Sequence, residues 1–159
     1  MKSRLLLLCW LLLACFAAAK ESAVDPAHRF LGSWAGPANV YDDLQIAKPT
    51  NAQLTISRAS NKPDLYVVEM TVYKDQLMRF TKCRLADEGQ LRVQDDLIVE
   101  TRHIRVDGFI KSRDGLRLEE GYISLAVENE NGDFRPYFTV KFAAKRILPA
   151  PTPAPEPPK

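Results

Sequence analysis

The 159-residue sequence predicts an all-β domain of about eight short antiparallel strands, arranged as a barrel or a sandwich. Three observations carry that prediction. From roughly Asp25 to Ile147, apolar and polar residues alternate with the period of two that marks half-buried strands. Turn signals built on Gly, Asn and Asp separate the alternating runs. No stretch of that region sustains helical periodicity, and only Pro26 to Leu31 reads as a single helical turn.

The chain opens on a different pattern. Lys2 and Arg4 precede the nearly unbroken apolar run Leu5 to Ala14, and Ala17-Ala18-Ala19 supplies the small residues that a signal peptidase reads. That is the build of a secretory signal peptide over residues 1–19. A membrane span needs about 20 apolar residues, and the polar Lys20-Glu21-Ser22 arrives too early for one. The expected mature domain, residues 20–148, therefore belongs to the periplasm or the secreted fraction. Leu12-Leu13-Ala14-Cys15 offers an alternative start, because it resembles a bacterial lipobox. An acylated Cys15 would anchor the protein to a membrane, the only route by which this reading gives it a membrane partner.

Composition narrows the field further. The chain has 22 Lys and Arg against 20 Asp and Glu. Met1 to Ala19 holds Lys2 and Arg4 and no acid, so the mature chain is balanced. Its charge gives no argument for nucleic acid. Cys9 and Cys15 lie in the signal segment, leaving Cys83 as the one mature thiol, a small buried hydrophobe without an internal disulfide partner. That lack, together with the absence of any Asn-x-Ser/Thr acceptor, favours a bacterial periplasmic protein over a eukaryotic secreted one.

Strands follow in order. Gln53 to Ser57 sets Leu54 and Ile56 on one face. Leu65 to Tyr73 is the clearest run, with Tyr66, Val68, Met70 and Val72 on one face. Leu77 to Leu85, Gln90 to Gln94 and Leu97 to Val106 come next, with Asp87-Glu88-Gly89 as a turn. Asp107-Gly108 and Asp114-Gly115 are hairpin-type turn signals. Leu116 to Val127 begins with Leu116 and Leu118 on one face and ends with Ile123, Leu125 and Val127 on the other. That switch predicts a β-bulge near Glu120-Gly121, which bends a strand as barrels require. Asn131-Gly132 marks another hairpin, and Phe138, Val140 and Phe142 form the core face of the last strand. Pro149 to Lys159 alternates proline and reads as an extended, solvated, disordered spacer.

Phe30-Leu31-Gly32-Ser33-Trp34-Ala35-Gly36 opens the domain. A Gly-x-Trp before a run of antiparallel strands resembles the lipocalin and calycin superfamily. The resemblance implies an antiparallel, lipocalin-like barrel of about eight strands, with Trp34 plugging its closed end. It also implies a basic residue past the last strand stacked on that ring, here Arg146 or its neighbour Lys145. An arginine over an indole covers apolar surface while its guanidinium meets the ring face.

The sequence argues against an enzyme. Of the two histidines, His28 sits in the entrance to the domain and His103 in a charged strand between Arg102 and Arg105. Cys83 lies between Lys82 and Arg84, which in a regular strand face away from it, while Arg79 and Thr81 share its face. No Gly-x-Ser-x-Gly, zinc spacing or phosphate loop occurs, so neither cofactor nor metal is expected. The neighbouring acids Asp42-Asp43, Asp95-Asp96 and Glu119-Glu120 face opposite ways on a strand and do not converge. Glu128 to Asp133 lacks the spacing of a calcium loop and reads as a polar hairpin tip.

The expected function is non-enzymatic: a small apolar or amphipathic ligand held inside the barrel, touching Tyr66, Met70, Phe80, Phe138 and Phe142 with an arginine at the mouth. The crowded cations Arg79, Lys82, Arg84, Arg92, Arg102, Arg105, Lys111, Arg113 and Arg117 admit two readings. They form a solvated outer face of cross-strand ion pairs, or they line a site for a carboxylate or phosphate. The alternative function is a periplasmic protein-binding, inhibitor or envelope accessory role through loops, with Asn39 to Asn51 the longest plausible loop.

Overall fold

The computed structural model describes residues 26–73, 76–86 and 89–148. Met1–Ala19, Cys15 and Pro149–Lys159 lie outside the described residues. A 3-10 turn, Pro26–Arg29, leads into eight strands: β1 Gly32–Tyr41, β2 Ala47–Ala59, β3 Lys62–Thr71, β4 Leu77–Ala86, β5 Gln90–Val99, β6 Arg102–Lys111, β7 Arg117–Glu128 and β8 Phe134–Arg146. Each pairs antiparallel with the next, and β8 returns to pair with β1, closing the barrel. The up-and-down course gives it two ends. The segment before β1, the β6–β7 loop and the end of β8 share one; the hairpin loops after β1, β3, β5 and β7 share the other.

The alternation read in the sequence is the inside–outside pattern of the wall. Leu54 and Ile56, Tyr66, Val68 and Met70, and Ile123 and Leu125 are buried, as are Val140 and Phe142. Trp34, Phe30, Leu91, Ile110 and Leu118 fill one end, so the lower interior is solid side chain.

The ladders shift register at four places among the described residues, and two of these shifts set which side chains face inward near the site. In β7, Leu118 pairs with Ala144 but Gly121 pairs with Phe142, which inserts one residue and turns the inward face from even to odd positions. This is the bulge expected at Glu120-Gly121. Glycine is required there, since a Cβ would lie 2.2 Å from the Phe142 ring. The second, in β4, carries no glycine signal: Val68 pairs with Phe80 and Tyr66 with Cys83. Phe80 and Cys83 therefore both point inward and Thr81 and Lys82 both outward, correcting the shared face assigned to Arg79, Thr81 and Cys83.

Three further expectations change. Leu97 to Val106 is not one strand but the end of β5, a turn at Glu100-Thr101 and the start of β6. The turn is made by Glu100 at φ 58°, a residue that advertises no turn. Asp107-Gly108 is no turn either, but lies mid-β6, where a Cβ on Gly108 would sit 2.3 Å from the Tyr122 carbonyl oxygen. There glycine serves close approach of two backbones. Asn39 to Asn51 is not a long loop: strands take its ends and leave only Asp42 to Ile46, folded over the Asp42 carboxylate, which accepts the Leu44 and Ile46 N–H groups. Asp114-Gly115 and Asn131-Gly132 do turn the chain, with Gly115 and Gly132 at φ 70° and 83°.

Candidate functional site

One end of the barrel is sealed by residues from both ends of the domain. The Trp34 side chain is fully buried, and its Nε1–H donates to the Phe30 carbonyl at 2.8 Å. The Arg146 guanidinium carbon lies 4.4 Å from the Trp34 ring centroid. Its nitrogens donate to four carbonyls: Gly115 and Leu31 at 2.6 Å, His28 at 3.0 Å and Arg29 at 3.3 Å. One planar cation thereby fixes the 3-10 turn, the β6–β7 loop and the indole together. Lys145 instead pairs in the ladders with Ala35 and Arg117.

The opposite end is open. A cavity of 510 Å³ lies between the starts of β4, β6 and β8 and the ends of β5 and β7. Its apolar lining includes Met78, Phe80, Leu97, Ile104, Leu125 and Phe138. Leu77 and Val99, 64 % and 50 % exposed, and Tyr137 stand at its rim. Burial pushes the Tyr137 phenol above its ordinary range, against the opposing field of Arg102. Arg79 also lines the cavity and is paired with Glu69 at 3.4 Å.

The five residues singled out inside the barrel divide in two. Phe80 and Phe138 line the mouth cavity, whereas Tyr66, Met70 and Phe142 are buried and do not line it, with Met70 directly across the ladder from the lining residue Met78. Sequence reading missed Leu77, Leu97, Val99 and Tyr137. The signal was the unbroken apolar run Leu97-Ile98-Val99, which has no solvent face to spare and ends at a hairpin.

Two further buried groups lie in the wall on β4 and β5, outside the lining of the mouth cavity. Cys83 is fully buried, and burial pushes its thiol up to about 12, with Asp95 adding to the shift and a backbone hydrogen bond opposing it. Asp95 occupies an inward position on β5, where β4 and β5 separate. Their ladder runs only through Arg84–Arg92, Leu85–Leu91 and Ala86–Gln90. Beyond it the Asp95 carboxylate takes the place of a strand partner. It accepts the Thr81 N–H at 2.8 Å, the Thr81 hydroxyl at 3.1 Å and the Asp96 N–H at 2.9 Å, and Lys82 Nζ lies 3.3 Å away. Burial raises the Asp95 pKa, but these partners together outweigh it and hold the carboxyl below its usual range. Among the described residues no three His, Cys, Asp or Glu side chains cluster to hold a metal, and no helix is long and apolar enough to cross a membrane.

The class these features define is a closed eight-stranded antiparallel barrel, sealed at one end and open at the other onto an apolar cavity. No family profile and no curated protein matches the chain in sequence. Similar solved structures include a redesigned β-barrel, at 10 % identity and TM-score 0.45 over 80 % of this chain and 100 % of that one. A protein of unknown function from the DUF3598 family of Nostoc punctiforme matches at 11 % identity and TM-score 0.43 over 81 % of this chain, which spans 48 % of that longer chain. An S-type phycobiliprotein lyase from Guillardia theta matches at 11 % identity and TM-score 0.40, over 82 % of this chain and 96 % of that one.

Proposed function

We propose that the protein is an exported, non-enzymatic binding module of lipocalin-like kind that takes a small apolar or amphipathic ligand at the open end of its barrel. The observation that carries this reading is the mouth cavity. Its 510 Å³ is within the range of small-ligand sites, about 300–1,000 Å³, and its lining is mainly apolar. The packed lower interior confines the ligand to that end, so Phe80, Phe138, Leu97 and Val99 touch it and Met70 does not. Native mass spectrometry and thermal shifts with fatty acids and lysolipids test the reading. A retained ligand mass, or a raised midpoint that Val99→Glu abolishes, supports it. Bare polypeptide mass with no shift across the panel counts against it.

Export rests on the leader pattern, and the mass of the mature N-terminus tests it. A chain starting at Lys20 is free of the membrane, and an acylated Cys15 is anchored to it. A second reading, protein binding through a loop, is favoured by one observation: Leu44 and Ile46, in the Asp42–Ile46 turn, are 73 % and 55 % exposed. Loss of a purified envelope partner on Leu44→Ser with Ile46→Ser, with ligand binding intact, would separate the two.

A further inference from the structure

The outer wall carries a feature that neither the fold nor the mouth cavity uses. Arg84 and Arg92 are direct cross-strand partners on the short β4–β5 ladder, and both are exposed. Like charges set directly opposite each other destabilise a sheet. Several other exposed cations of this barrel are matched, Arg79 by Glu69, Lys111 by Glu120, Arg113 by Glu119 and Lys48 by Asp42, whereas Arg117 and Lys145 form a second directly opposed like-charged pair. Among the described residues no carboxylate lies within 4.0 Å of Arg84 or Arg92, and neither guanidinium lies over an aromatic ring.

Arg84 lines a groove, and Arg92 stands beside it as its ladder partner. Where β4 and β5 part, the wall opens into a 510 Å³ depression lined by Lys62, Lys82, Arg84 and Arg105 above the floor made by Asp95. The acids there already have partners: Asp95 has Thr81 and Lys82, Asp107 has Gln94 at 3.4 Å, and Asp96 has His103 at 3.8 Å. The lining carries four cations, Lys62, Lys82, Arg84 and Arg105, against three acids, Asp95, Asp96 and Asp107, and Arg92 adds a further cation beside it.

We propose that Arg84 and Arg92, with Lys62 and Lys82 on the groove, form a site for a ligand bearing a phosphate or carboxylate group, distinct from the mouth cavity. Two guanidinium groups at directly opposed ladder positions supply donors for the several acceptor oxygens of such a group, whose charge offsets their mutual repulsion.

The test follows backbone amide shifts of the protein at constant ionic strength while inorganic phosphate, acetate or phosphatidylglycerol vesicles are added. Saturable shifts confined to Lys62, Lys82–Arg84 and Arg92–Gln94 are expected, with the affinity weakened at least tenfold in Arg92→Gln. Lys111→Gln, which removes a cation already paired, leaves the affinity within twofold. The ligand-free midpoint of Arg92→Gln rises, because the repulsion is gone. Tighter binding to vesicles than to free phosphate assigns the group to a lipid head; the reverse assigns it to a soluble ligand. Shifts that never saturate, or an unchanged affinity in Arg84→Gln with Arg92→Gln, overturn the proposal. Neither result bears on the mouth cavity, which Val99→Glu tests separately.

Discussion

Arg146 joins three segments through one side chain, so its removal strands several groups at once. Hydrogen bonds to a charged group contribute about 1.5–3 kcal/mol each, and unpartnered carbonyls add their own cost. Arg146→Ala is expected to lower stability by about 3 kcal/mol or more on that scale, read from the urea midpoint. Arg146→Lys should restore only a fraction, since an ammonium cannot reproduce the planar fork. Gly121→Ala drives a methyl into the Phe142 ring. Overpacking of this kind costs about 1–3 kcal/mol, and pairing the change with Phe142→Leu should recover most of it in a double-mutant cycle. Cys83 makes a third case. With its thiol raised to about 12, it stays protonated at ordinary pH. A disulfide-exchange dye at pH 8 should leave the native protein unlabelled and react fully once guanidinium unfolds it.

At the scale of elements, the β4–β5 seam is held as much by a side chain as by a ladder. The Asp95 carboxyl has a folded-state pKa below that of an unfolded aspartate, near 3.9. Its contribution is therefore complete above about pH 4 and is lost as pH falls through the depressed value. The wild type should lose stability more steeply than Asp95→Asn below pH 4, while Asp95→Asn is the less stable of the two at pH 7. Thermal midpoints between pH 2.5 and 6 give both comparisons. The seam also shows where legibility stopped. Strand alternation, the Gly121 bulge and the Asp114-Gly115 and Asn131-Gly132 turns are written in local residue chemistry. The Thr81–Lys82 bulge is not, because Asp95 stabilises it from another strand. The Glu100 turn is hidden for a related reason: the pairing of Leu97 with Ile104 and Val99 with Arg102 imposes it on a residue with no turn preference. Asp107-Gly108 misleads in the opposite sense, since its glycine answers to Tyr122 across the sheet. The mouth was only half legible, because depth within a barrel depends on where each strand ends.

For the whole molecule, closure is the governing fact. Seven of the eight seams join strands that are neighbours in sequence, and the last joins β8 to β1. Without β8, strands β1 and β7 each present a bare edge and the Trp34 end has no cation over it. A chain ending at Gly132 is expected to show no cooperative thermal transition and to bind a hydrophobic dye, whereas the chain through Leu148 melts in one step.

Arg146 also meets Leu31 across a separation of 115 residues, nearly the full span of the barrel. Contacts that distant in sequence raise the mean contact order above that of the seven local seams, and their closure entropy makes sealing slower than forming any one hairpin. The ribosome delivers roughly 5–20 residues per second, so the fastening arginine emerges many seconds after the tryptophan it covers. Early hairpins are free to pair as they emerge, but the barrel stays unsealed until its last strand arrives.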